Sequence, residues 1–163
     1  MSDLRDTAAS LGWGDVRTYI QSGNVVFDPG PVESSTAAEG RLARQLSSAL
    51  SNRQHIDVPV IVRSSAAMSR IAQAHPDAGS DIPPKYLHVH LLDREPTSCD
   101  GVEHGAFAPD AWVLDGREVY VTYPNGSGRS KLTIHVFERA WGVAATGRNL
   151  TTIRRLADLA VGG

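Results

Sequence analysis

The chain has 163 residues, 41% hydrophobic, 21% charged and 6% aromatic, the profile of one ordinary folded domain or two small ones sharing a core, and it excludes a disordered polymer. Sixteen basic and 18 acidic side chains leave a formal charge of -2, so no global field recruits a polyanion and any anion site must be local. The only cysteine, Cys99, excludes an internal disulfide and any zinc site with two or more thiolates, which fits a reducing, cytoplasmic compartment.

No apolar stretch approaches the ~20 residues that span a bilayer, and the first dozen residues carry Asp3 and Asp6 in place of a basic, greasy leader, so no membrane partner is expected. Ser2 can cap a short helix with Leu4, Ala8 and Leu11 on one face, stopped by Gly12 and Gly14. Val16 to Gln21 and Asn24 to Phe27 are rich in β-branched and aromatic residues, and Ser22-Gly23 between them suits a hairpin turn. After the loop Asp28 to Ser35, a helix runs from about Ala37 to Arg53 with Leu42, Leu46, Ala49 and Leu50 on one face. Val58 to Val62 then reads as a buried strand.

This order, helix, strand, strand, helix, strand, is a β-α-β-β-α-β ferredoxin-like unit without its opening strand. That strand occupies the sheet interior, and buried backbone groups without partners are costly, so an upstream, internal or partner segment is expected to fill the slot.

Ser64 or Ser65 caps a helix through Met68 and Ile71 that ends before Pro76, and Asp77 to Pro84 reads as a linker. Tyr86 to Leu92 is a strand, Cys99 to Phe107 a weak helix, and Trp112 to Leu114 with Glu118 to Tyr123 a hairpin around Asp115-Gly116. A helix follows from Lys131 to Trp141, then an extended piece near Val143 to Thr146, then a terminal helix capped by Asn149. The expected fold is therefore α+β, two ferredoxin-like units in tandem plus a C-terminal helix. Residues 1–76 form the first, N-terminally incomplete unit with its connecting helix, residues 77–85 the linker, and residues 86–163 the second unit.

Residues 129–155 hold Arg129, Lys131, Arg139, Arg148, Arg154 and Arg155 against the single acid Glu138, a local charge of +5. Within it, Asn125-Gly126-Ser127-Gly128-Arg129-Ser130-Lys131 follows a strand and opens the expected helix. Glycines there would let backbone N–H groups approach an anion, and cations at a helix start are unusual unless an anion offsets them. The alternative is a plain connection in which Gly126 and Gly128 serve turn geometry and Ser130 is the N-cap. Arg148-Asn149 repeats the pattern one helix later, or is an exposed arginine beside an ordinary cap. The loop matches neither a Walker loop nor a dinucleotide-binding fingerprint.

His88 and His90 share a strand face, but no third ligand accompanies them, and neither a metal nor a cofactor is expected. Trp13, Trp112 and Trp141 sit beside element ends, as packing residues do. The leading expectation is a module that holds a phosphorylated ligand, a nucleotide or nucleic-acid backbone, through Gly126, Gly128, Arg129, Ser130, Lys131, Arg148 and Asn149. Its rivals are an enzyme on a small phosphorylated substrate using Tyr123, His135 or Ser130, and a structural homo-oligomer paired through open sheet edges.

Arg17-Thr18-Tyr19-Ile20-Gln21-Ser22-Gly23-Asn24-Val25-Val26-Phe27, Tyr123-Pro124 with Gly128-Arg129-Ser130-Lys131-Leu132-Thr133, and Gly142-Val143 through Arg148-Asn149 together resemble the domain-of-unknown-function 1697 family. The resemblance implies a mostly bacterial family of ferredoxin-like units with no established activity. It also implies an opening strand and glycine-containing stretch ahead of the first helix, which this sequence lacks, and an aromatic residue where Leu150 stands.

Overall fold

The computed structural model describes residues 2–20 and 23–162, and the chain is α+β, with five helices and two antiparallel sheets among the described residues. It divides into two compact units, Met1–Met68 with Leu156–Gly163, and Ser69–Arg155.

In the first unit α1 (Ser2–Ser10) is followed by Gly12 at φ +80°, a left-handed conformation that suits glycine and ends the helix. The side chain of Ser2, expected as a cap, lies outside the described residues. β1 (Gly14–Tyr19) and β2 (Asn24–Asp28) pair antiparallel, with Thr18 opposite Val25 and Tyr19 opposite Asn24. The hairpin thus exists, with its first strand two residues nearer the N-terminus than expected and ending before the left-handed Ile20 at φ +50°. The first residue of the expected turn, Ser22, lies outside the described residues; the second, Gly23, has φ +77°.

α2 (Thr36–Gln54) begins where the Ser35 hydroxyl accepts the Ala38 N–H at 3.2 Å and ends at His55 in the left-handed conformation. Its Leu46 and Leu50 join Ala8 and Trp13 in a core that also receives Val16, Val25, Phe27 and Val60, with Trp13 stacked on Phe27 at 4.0 Å between ring centroids. The strand expected at Val58 to Val62 is absent. No strand among the described residues lies beside it, Pro59 has no N–H to donate, and Val58 is 46% exposed; only Val60 packs on the core.

α3 (Ser65–Ala74) starts under the hydroxyl of Ser64, which accepts the Ala67 N–H at 3.2 Å. After a single 3-10 turn, Pro84–Tyr86, the second unit lays down β3 (Leu87–Leu92), β4 (Ala111–Asp115) and β5 (Glu118–Thr122). α4 (Ile134–Trp141), β6 (Ala145–Asn149) and residues 150–155 of α5 (Leu150–Val161) complete it, the rest of α5 belonging to the first unit. The four strands run in the order β4-β5-β3-β6, all antiparallel, so β3 lies in the interior, which explains its near-continuous burial.

Residues directly opposite across strands share a face. Trp112, Val119, Val121 and Leu92 line one face and pack on Leu132, Phe137 and Trp141 of α4 and its approach. Leu87, Val89, Leu91, Glu118, Tyr120 and Thr122 point to the other. α5 packs on the sheet with Leu150 and Ile153 fully buried, and brings Arg154 towards His75, which lies edge-on to Tyr120.

Two expected helices differ. Residues 99–107 form turns, because Gly101 and Gly105 adopt φ +87° and +85° and interrupt any helical hydrogen-bond ladder. The helix expected from Lys131 begins three residues later. The Leu132 carbonyl accepts the Tyr123 hydroxyl at 2.7 Å and the Leu132 N–H donates to Ser130 Oγ at 2.9 Å, which commits that backbone to the loop.

Candidate functional site

The loop after β5 is built around Gly126. Its φ +84° and ψ 155° belong to a region that side chains exclude, and a Cβ there would stand 3.3 Å from the ring of Tyr86. The Gly126 N–H closes a turn on the Tyr123 carbonyl at 2.9 Å, and Ser127–Arg129 form one 3-10 turn closed by the Ser130 N–H on the Ser127 carbonyl at 3.2 Å. Ser130 is therefore not the N-cap of α4; Thr133 holds that position without a side-chain cap bond. Instead the Ser130 hydroxyl donates to the Asp110 carboxylate at 2.5 Å while accepting the Leu132 N–H, clasping the loop to the segment ahead of β4. With its N–H and hydroxyl both engaged, Ser130 contributes shape and no free donor. At Gly128 a Cβ would meet nothing within 4 Å, so the outside of the turn is open.

Arg129 and Lys131 are exposed, and among the described residues neither has an ion-pair or hydrogen-bond partner. A third cation joins them that the sequence did not single out. Lys85 places its ammonium 5.0 Å from the centroid of the Tyr86 ring, the same ring that packs on Gly126. The link is tertiary, through the Tyr123 N–H donating to the Tyr86 carbonyl at 3.0 Å where β3 and β5 run side by side. In sequence, Lys85 was one cation in a linker.

Arg148 and Asn149 end β6, separated from β5 by β3 and thus about 10 Å away in the sheet. The Asn149 side-chain oxygen accepts the Thr152 N–H at 2.9 Å, capping α5 as its position suggested. Arg148 lies opposite Val89, hence on the Tyr120 face, away from α4. Its guanidinium donates to Thr146 Oγ1 at 2.7 Å and to the Gly147 carbonyl at 2.8 Å, and burial pushes its pKa down from the usual arginine value. Arg139 rides on α4 and Arg154 and Arg155 on α5, all exposed. Arg129 and Lys131 thus share the loop after β5, Lys85 lies by the Tyr86 ring that packs on Gly126, and the other cations of the basic segment are distributed over both sheet faces.

The groups that could serve an enzyme are occupied. Tyr123 is buried, spends its hydroxyl on Leu132, and is pushed well above the ordinary phenol range by burial first and by Asp110 second. His135 is exposed and pairs with Glu138 at 2.7 Å. His88 and His90 do share the α4 face, but His88 contacts the Lys85 carbonyl at 3.2 Å and His90 is buried against Phe137. Among the described residues no three His, Cys, Asp or Glu side chains gather to hold a metal ion. The arrangement can attract and orient an anion.

A family model described as a protein of unknown function (DUF1697) matches residues 1–120, so the match stops short of the loop. No curated protein and no solved structure matches the chain.

Proposed function

We propose that this chain, which belongs to the DUF1697 family, is a binding module for a phosphorylated ligand, a nucleotide or a nucleic-acid backbone, held at the Gly126 to Lys131 loop. One observation carries the reading: Arg129 and Lys131 stand two residues apart on a bend that only glycine permits, exposed and without an acidic partner among the described residues. Cations so placed repel one another, and a phosphate converts that repulsion into attraction. The open space beside Gly128, where even a Cβ would meet nothing within 4 Å, leaves room for the anion to approach the backbone. Lys85 adds charge from the neighbouring turn. Arg148 is given no direct role, since its donors serve its own strand.

The test is anisotropy of a labelled oligonucleotide and a labelled nucleotide across a salt series, comparing the parent with Arg129→Glu/Lys131→Glu. Loss of two phosphate contacts should flatten the logarithmic salt slope by about 1.4 to 1.8 and weaken binding at least tenfold at low salt. Equal binding by both proteins discards the reading.

The finer architecture that accompanies it is a tandem of ferredoxin-like units. The order β4-β5-β3-β6, with the opening strand inside the sheet, supports this for the second unit, where turns replace the first helix. The hairpin β1-β2 and α2 support it for the first, where both the opening strand and the one expected at Val58 to Val62 are absent among the described residues. A cytoplasmic setting agrees with the lone cysteine, and no described helix is long and apolar enough to cross a membrane. The second reading, a homo-oligomer, is favoured by the two-stranded sheet with its open edge, and sedimentation equilibrium decides it: a monomer at tens of micromolar removes it.

A further inference from the structure

Between α3 and β3 the chain crosses the Tyr120 face of the second sheet, and His75 holds it there. The ring is 3% exposed. Its Nδ1 accepts the Asp77 N–H at 3.2 Å and its Nε2 lies 3.3 Å from the Val121 carbonyl. An N–H can be accepted only by a nitrogen without a hydrogen, so the proton sits on Nε2 and is donated to Val121. The neutral Nε2–H tautomer is therefore built into the geometry. A second proton has only Nδ1 to occupy, where it meets the Asp77 N–H head-on.

The remaining bonds make that collision propagate. The Ala78 N–H returns to the His75 carbonyl at 3.0 Å, the Ser80 N–H to the Asp77 carbonyl at 3.0 Å, and the Ile82 N–H to Ser80 Oγ at 3.2 Å. Asp77 is further tied to β5 by the Thr122 hydroxyl. We propose that His75 is an acid-released latch that fastens residues 76–82 to β5 and frees them when its Nδ1 is protonated.

The groups facing the ring act in both directions. The Asp77 carboxylate favours the imidazolium, as does the His88 backbone of β3, while Arg154 of α5 opposes it and Tyr120 of β5 meets it edge-on at 5.6 Å without charge. Burial outweighs the favourable contacts and lowers the pKa, so release falls below the ordinary histidine range near 6.5.

Amide hydrogen exchange of the full chain, read residue by residue between pH 7.5 and 4.5, tests the latch. Protection of the Asp77 amide, corrected for intrinsic exchange, should fall about tenfold per pH unit below 6.5. In His75→Gln, whose amide offers one acceptor and one donor in similar places, that dependence should vanish, while β3 amides, which open with the whole unit, still lose protection as pH falls through His88 and His90. The variant retaining the parental slope at Asp77, or Asp77 tracking the β3 amides in the parent, overturns the proposal. Imidazole nitrogen shifts of the parent give a check independent of any variant: the Nε2–H tautomer at neutral pH supports the latch, and the Nδ1–H tautomer refutes it.

Discussion

Gly126 joins a backbone demand to a packing demand at one residue. Its φ and ψ are open to glycine alone, and a methyl group there would crowd the Tyr86 ring at 3.3 Å. Gly126→Ala should therefore lower stability by about 1–3 kcal/mol in chemical denaturation. A loss within experimental scatter would show that the bend relaxes freely. The presence of a turn at this glycine was readable in the sequence. What Ser130 does was not, because a serine ahead of a helix pattern looks like a cap, whereas its hydroxyl reaches Asp110, 20 residues upstream. Only tertiary structure chooses between a local and a distant partner of equal chemistry. Ser130→Ala removes the clasp and leaves the Leu132 N–H without its acceptor, at a cost of about 1–3 kcal/mol by the same measurement, with Asp110→Asn intermediate.

Elements that carry their own instructions were legible: α2 through its leucine spacing, and the β4-β5 hairpin through Asp115-Gly116, whose glycine takes φ +60°. Residues 99–107 failed because Gly101 and Gly105 use the left-handed conformations that a weakly periodic segment cannot resist. Val58 to Val62 failed for a different reason. Its composition is that of a strand, but a strand is a pairing relation, and the described residues offer it no neighbour. The consequence is measurable. Amides of Val58 and Val60 to Val62 should exchange within about tenfold of unprotected rates, while Val89 and Leu91, in a strand paired on both sides, should be protected up to the global opening of their unit. Strong protection at Val60 to Val62 would mean that these residues are paired in solution after all.

For the second unit considered as a whole, histidine burial sets the response to acid. His75, His88 and His90 are all lowered from the ordinary value, each primarily by burial, and His90 is pushed down to about 3. The unfolded chain binds protons at these sites from about pH 6.5 downward and the folded one resists, so stability is full above that pH and declines as pH falls. The sign is opposite to that of a salt-bridged histidine, which would gain stability on acidification. Each histidine fully linked in this way adds about 1.4 kcal/mol per pH unit to the slope. Trp112 and Trp141 lie in the α4 core of this unit, and Trp13 belongs to the other. Fluorescence-detected urea unfolding of Trp13→Phe therefore reports on the histidine-bearing unit. Its midpoint should stay level above pH 7 and drop steadily between pH 6.5 and 4.5. His90→Leu keeps an apolar side chain against Phe137 and should shallow the decline by about 1.4 kcal/mol per pH unit, because it removes the site whose folded state holds out longest. An unchanged slope in that variant would assign the acid sensitivity to other groups.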